Sequence, residues 1–204
     1  PITLDNTSAE AYCTIFALEE SKLERDVMWA GTDDGLVKLS RDGGRTWADI
    51  TPKTLPEWAL ISIIEPSAHD AGTAYVAATR YKVDDTKPYL FKTSNYGKTW
   101  TKITKGIPET EFTRVIREDP ERPGLLFAGT ETGVYLSFDD GATWQRWQSN
   151  LPVCPIHDLY IKDGDLIAAT HGRSIWILDD ITALRQLYDK TVAARAALLM
   201  PRDT

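Results

Sequence analysis

The chain has 204 residues, and 23 Lys and Arg against 30 Asp and Glu leave a formal charge of −7. An acidic surface without a basic stripe repels phosphate backbones, which excludes a nucleic-acid partner, and no apolar run approaches the roughly 18 residues of a membrane span. Hydrophobic residues make up 42% of the chain, too many for disorder, while Cys13 and Cys154 stand too far apart, without a second pair, to build a disulfide scaffold or a cysteine zinc site. Seven Trp beside 13 Gly and 11 Pro, with only 2 Met, suggest many tight turns with an aromatic set into each.

Residues 1–10 read as an N-terminal arm, and the alternation that follows predicts strands in groups of four. The first group, within 11–52, has strands at 14–18, 27–31, 36–40 and 46–50, the last two joined through SRDGGRTW at 40–47. A second group, within 58–105, has strands at 60–64, 74–79, 89–93 and 99–103, with TSNYGKTW at 93–100. The third, within 112–150, has strands at 114–117, 125–129, 134–137 and 143–147, with SFDDGATW at 137–144. A fourth, within 156–180, has strands at 158–161, 165–170 and 174–178, but lacks both the octet and an obvious outer strand. Every second strand is a nearly continuous apolar run, the pattern of a sheet buried on both faces. Past Asp179-Asp180 the spacing of Ile181, Leu184, Leu187 and Tyr188 turns helical, so 181–204 reads as a short helix, N-capped by Asp180, and a tail. Both ends read as parts of something longer, and a targeting segment is expected outside this sequence.

The octet starts are 53 and 44 residues apart, close to the period of propeller blades. Each octet is expected to fold as a hairpin turn. Asp42, Asn95 and Asp139 fold a side-chain oxygen onto nearby N–H groups, and Gly44, Gly97 and Gly141 take positive φ. Trp47, Trp100 and Trp144 then place an indole between neighbouring sheets. These Asp residues are read as turn builders, because one Asp per hairpin supplies too few oxygens for calcium. No metal or cofactor is implied.

The pattern S/T-x-D-x-G-x-T-W resembles the Asp-box of bacterial neuraminidase repeats, found in sialidases, sortilin-type receptors and tandem-propeller xyloglucan hydrolases. GTETGVYLSFDDGATW, followed by ATHGRSIWILDDITALRQL, looks closest to large bacterial proteins described as sortilin-like or glycosyl-hydrolase-like repeat proteins. The resemblance covers roughly residues 11–188 and implies an all-β chain: a β-propeller segment of about four four-stranded antiparallel blades with Asp-box hairpins and a short C-terminal helix. By the same resemblance the protein would be secreted or periplasmic, and ligands would bind on the face opposite the octets.

That face is made of the links between second and third strands and those between blades. RYKVDDTKP at 80–88 makes the second blade's loop longer than its counterparts. Long loops in compact folds tend to carry function, and this one offers Arg80, Tyr81 and Lys82 as donors and a stacking ring, with Asp84 and Asp85 as acceptors. In THGRS, His171 and Arg173 replace the acidic loop of the other blades; Arg173 either binds an anion with His171 or pairs with Asp179 or Asp180 to seal the last blade. Arg114, and His157 with Asp158, precede innermost strands and are read as a polar rim around a channel, since His157-Asp158 has no nucleophile to serve. Trp58 is the Trp on an inter-blade link facing the ligand side.

Two function readings follow: a binding or scaffold segment of a larger sortilin-like propeller that recognises a glycan or extended peptide, or a glycoside hydrolase fragment using two loop carboxylates. A sialidase would also need three converging Arg, for which Arg80, Arg114 and Arg173 are the candidates. Because an open stack of blades exposes sheet faces and edges, the segment is expected either to need missing blades of a parent chain or to self-associate, with residues 1–6 available as a closing strand.

Overall fold

The computed structural model describes residues 13–187 and 196–202, so the arm at 1–10 and the helical position proposed for Tyr188 lie outside the described residues. The first sheet takes β1 (Ile15–Glu20), β2 (Met28–Thr32), β3 (Val37–Ser40) and β4 (Ala48–Asp49) in chain order. The second takes β5 (Leu60–Pro66), β6 (Ala74–Arg80), β7 (Asp85–Thr93) and β8 (Thr101–Lys102). The third takes β9 (Thr113–Glu118), β10 (Leu126–Thr130), β11 (Val134–Ser137) and β12 (Gln145–Arg146). The fourth has three strands among the described residues, β13 (Ile156–Lys162), β14 (Asp165–Thr170) and β15 (Ile175–Leu178). All neighbouring strands are antiparallel.

These meanders are blades. Each first strand packs against the first and second strands of the blade before it: β5 on β1 and β2, β9 on β5 and β6, β13 on β9 and β10. The first strands therefore form an inner row and the fourth strands an outer one. Second strands carry the core, as their apolar runs require: β10 is wholly buried, and β6 is buried up to Arg80. The outer strands are shorter than the pattern predicts, two residues each, because the octet hairpin consumes the residues before them.

Inside an octet the Ser, Asp and Thr side chains are bonded to one another and to the turn backbone. The Thr46 N–H and hydroxyl donate to the two Asp42 oxygens at 2.9 and 2.6 Å, and the Ser40 hydroxyl donates to Asp42 and accepts from the Gly44 N–H, both at 2.8 Å. Ser137, Asp139, Gly141 and Thr143 repeat the pattern within 0.1 Å. With Asn95 in the middle copy the last bond reverses direction, the amide donating to the Thr99 hydroxyl at 2.8 Å. At Asp42 these bonds, that from the Thr46 hydroxyl foremost, hold the carboxyl down to about 2.

The octets also latch one blade to the next. The Trp100 indole N–H donates to the Ile50 carbonyl at 2.6 Å, and that of Trp144 to the Ile103 carbonyl at 2.7 Å, in each case the residue following the outer strand of the preceding blade. The same isoleucines lie on the octet glycines: a Cβ on Gly97 would sit 2.5 Å from Ile50 Cδ1, and one on Gly141 2.7 Å from Ile103 Cδ1. Both glycines have φ near +80°, so size and backbone conformation demand glycine together. Trp47 has no preceding blade; its indole turns back onto its own Gly44 carbonyl at 3.0 Å and is 39% exposed.

Two further expectations are revised. Residues 80–88 are not a long open loop: β6 runs to Arg80, a 3-10 turn occupies Tyr81–Val83, and β7 starts at Asp85, so the insertion lengthens a hairpin. The terminal helix is one turn, Thr182–Arg185, with the Thr182 N–H on the Asp180 carboxylate at 2.9 Å and Arg185 on Asp119 at 3.0 Å.

Trp144→Phe removes the latch donor, strands a carbonyl and gives up buried area, for a loss of about 2–3 kcal/mol. Urea unfolding measures it, and a loss below about 1 kcal/mol would show that the latch is not stabilising.

Candidate functional site

The face opposite the octets is tied down by one repeated bond. In blades one, three and four the residue opening the hairpin between second and third strands donates its N–H to the carbonyl of the residue just before the first strand: Asp33 to Thr14 at 3.2 Å, Glu131 to Phe112 at 3.3 Å, His171 to Pro155 at 2.9 Å. Hairpin tips and inter-blade links are thereby held side by side, and their side chains share one surface.

On blades two to four that surface gathers six side chains. The Tyr81 ring stacks on Phe112 with centroids 5.0 Å apart and planes 14° from parallel. The Arg114 guanidinium lies 5.0 Å from the Tyr81 ring centre and 4.8 Å from that of Phe112, and its Nε and Nη2 donate to Glu131 Oε2 at 3.1 and 2.8 Å. His157 and His171 meet edge to face, 4.9 Å between ring centres. Partial burial pushes the His157 imidazole below its usual range, Arg114 and His171 push it the same way, and Glu131 opposes them. The site therefore offers an exposed Tyr81 ring backed by buried Phe112, a guanidinium held by its carboxylate, and two imidazoles.

Tyr81, Arg114, His157 and His171 are thus brought together, joined by Phe112 and Glu131. Phe112, missing from the sequence-derived candidates, was signalled only by its place at the end of the link PETEF. The other candidates stand elsewhere. Arg80 and Asp85 pair with each other at 2.8 Å, and the Tyr89 hydroxyl adds a bond to Asp85 at 2.7 Å, so both brace the hairpin. Asp84 closes the 3-10 turn in a left-handed conformation, Lys82 is exposed beside it, and Trp58 is exposed on the link between β4 and β5. Arg173 makes no ion pair with Asp179 or Asp180 among the described residues; its carbonyl accepts the Trp176 indole N–H at 2.7 Å.

Asp158 belongs to a second group, on the inner row. Arg117 donates to Asp158 at 2.8 Å, to Glu65 at 2.9 Å and to the Leu159 carbonyl at 2.8 Å, while Lys22 reaches Glu65 at 2.5 Å. One guanidinium thus joins the first strands of blades two, three and four. This hub escaped the sequence reading, yet its signal was present: Glu19, Glu65 and Arg117 occupy the same register, each opposite an aromatic of the neighbouring strand, Trp29, Tyr75 and Phe127.

Four acids of the loop face are engaged, while Asp34 keeps one buried carboxylate oxygen without a hydrogen-bond partner among the described residues. Glu111 accepts the Thr130 and Thr132 hydroxyls at 3.0 and 2.6 Å, Asp33 accepts the Thr14 N–H at 2.9 Å, Glu131 holds Arg114, and Asp85 is held below the usual carboxylate range with Tyr89 and Arg80 as partners. A glycosidase acid needs the opposite shift. Among the described residues no three His, Cys, Asp or Glu side chains gather closely enough to hold a metal ion, and no helix is long and apolar enough to cross a membrane.

No family model matches the chain. Vacuolar protein sorting/targeting protein 10 of Schizosaccharomyces pombe is 27% identical over 132 residues, covering 58% of this chain and 8% of that protein. Among solved structures, YCF48 bound to D1 peptide superposes with a TM-score of 0.61 at 19% identity, over 82% of this chain and 52% of its own. The GH74 xyloglucanase of Xanthomonas campestris does so with a TM-score of 0.63 at 16% identity, over 83% and 29%. The chain is a β-propeller repeat protein. It spans only part of the proteins it resembles, and the sequence relative is a fission-yeast protein, where the octets had pointed to bacterial ones.

Two outcomes test this propeller's site and hub. Arg114→Gln removes a cation beside His157, so the imidazole becomes easier to protonate and its pKa rises in an NMR titration; an unmoved titration would mean that the guanidinium does not act on it. Arg117→Met leaves buried Glu65 with one fewer partner and lowers unfolding stability by about 3 kcal/mol in urea denaturation.

Proposed function

We propose that the chain is a ligand-binding segment of a sortilin-like repeat propeller, and that the face carrying Tyr81, Phe112, Arg114, Glu131, His157 and His171 recognises a glycan or an extended peptide. The observation behind this reading is the aromatic cluster: the Tyr81 ring, 39% exposed, stacks on buried Phe112 with the Arg114 guanidinium beside both rings, so one aromatic surface faces solvent next to donors and acceptors. A sugar ring or a peptide side chain stacks on such a surface while its polar edge bonds to the imidazoles and Arg114. The folds it resembles include one solved with a peptide and one that is a xyloglucanase, so both ligand classes belong in the test.

The alternative, a glycoside hydrolase fragment, draws support from that same xyloglucanase likeness but needs two opposed carboxylates, one kept protonated. Glu131, Asp85 and Glu111 are instead spent on Arg114, Arg80 and threonine hydroxyls. Arg80 and Arg114, each neutralised by its own carboxylate, likewise do not make the bare triple-arginine cradle that a sialidase needs.

Titration calorimetry with panels of oligosaccharides and of extended peptides separates the readings. Binding to one panel should weaken about tenfold in Tyr81→Ala and in Arg114→Ala, with circular dichroism unchanged. Binding indifferent to both substitutions would move the site elsewhere, and reducing sugar released from an oligosaccharide would replace the binding reading with hydrolysis.

A further inference from the structure

The two latched junctions share one octet register, yet on the octet side they differ. Between blades two and three lies an open slot of about 370 Å³, walled by Lys92, Ser94, Thr99 and Ile103 of blade two and by Asp139 and Asp140 of blade three. Equal steps from the octet starts at Ser40, Thr93 and Ser137 give the same positions between blades one and two: Leu39, Arg41, Thr46 and Ile50, then Asn95 and Tyr96. The backbone agrees with this match. Tyr96 and Asp140 both take left-handed φ, 56° and 60°, and each donates its N–H to a glycine carbonyl at 2.9 Å, that of Gly72 or of Gly124.

Between blades one and two a guanidinium occupies the slot. Arg41 lies 4.3 Å from the centre of the Tyr96 ring and pairs with Glu24 at 3.1 Å, and the Tyr96 hydroxyl donates to the same carboxylate at 2.6 Å. Between blades two and three both fillers are replaced by shorter side chains, Arg41 by exposed Ser94 and Tyr96 by Asp140. Charge changes along with volume. The first junction carries Arg41 and Lys98 at these octet positions and no acid, whereas the second carries Asp139 and Asp140 against Lys92, with Ala142 in place of Lys98. The acid that holds Arg41 is kept as well: Asp70 takes the place of Glu24, its carbonyl accepting the Thr73 N–H as that of Glu24 accepts the Val27 N–H.

Asp140 retains capacity for a ligand. Unlike Asp139, which bonds inside its own hairpin, it turns to blade two, accepting the Tyr75 hydroxyl at 2.7 Å on one oxygen and the Lys92 ammonium on the other. An ionised carboxylate offers about four acceptor sites, so roughly half of them remain. We infer that this slot receives an arginine side chain of a partner peptide, its guanidinium taking the place that Arg41 occupies one junction earlier. A planar fork of donors suits two neighbouring carboxylates better than a second ammonium beside Lys92, and the aliphatic stem covers Ile103. The site lies on the side of the blades opposite Tyr81 and Arg114 and does not depend on what they bind.

Nuclear magnetic resonance on the full chain tests this, with Nα-acetyl-arginine methylamide as the probe. It should shift the amides of Ser94, Asp140 and Ala142, while the citrulline counterpart, alike in shape but uncharged, should shift none of them. Asp140→Asn should weaken binding about tenfold, and Ser94→Arg, which fills the slot as Arg41 does, should abolish it; Tyr81→Ala should leave it intact. Because Ser94 is exposed, its variant stays readable even where Asp140→Asn disturbs the blade junction. An arginine probe that shifts none of these amides, equal shifts from the citrulline probe, shifts that survive Ser94→Arg or shifts lost in Tyr81→Ala would each overturn the inference.

Discussion

The indole-to-carbonyl latch is the contact on which the rest of this molecule depends. A single blade cannot bury its second strand, because that strand is apolar on both faces and needs a sheet on each side. In blades two and three the octet solves this with a Trp that reaches back to the residue after the previous outer strand, while its glycine admits that same isoleucine. One sequence element thus fixes the turn, the spacing between blades and their angle. Stability then accrues between nearest neighbours, as in other repeat proteins.

Polar groups follow the same division of labour. On the octet side, hydroxyls and carboxylates are consumed inside each hairpin. On the inner row, Arg117 ties blades two, three and four through two carboxylates and a carbonyl, so charge that would be costly alone serves as a clamp. On the remaining face too, aromatic and charged side chains from different blades meet, and in blades one, three and four the bond from hairpin tip to link holds that face in place.

Much of this was legible in the sequence because it repeats. Strand order, octet turns and the truncated fourth blade follow from patterns that recur three times, and recurrence separates signal from chance. What did not repeat was harder. The segment 80–88 reads as a loop because Lys, Asp and Pro are poor strand formers, but the Arg80 to Asp85 pair and the Tyr89 hydroxyl compensate and carry the hairpin further. The hub at Arg117 was hidden by charge reversal: the same register holds Glu in two blades and Arg in the third, so it looks unconserved along the repeat although the opposition of sign is what makes it bind. Arg173 was read through its charge, while its backbone carbonyl does the structural work.

The same contrast bears on whether this face holds or cuts its ligand. A catalytic carboxyl has to stay short of partners, since each hydrogen bond or cation given to its charged form lowers its pKa and removes the proton it would donate. Here two of the acids are satisfied by construction: Glu131 holds Arg114 beside Tyr81 and Phe112, and Glu111 is held by two threonines that fix its hairpin. Removing those partners to free an acid would dismantle the cluster. The bonds that hold Arg114 beside Tyr81 and Phe112 are therefore the bonds that disarm Glu131 as an acid, and on this arrangement a binding role and a hydrolytic one would compete for the same residues.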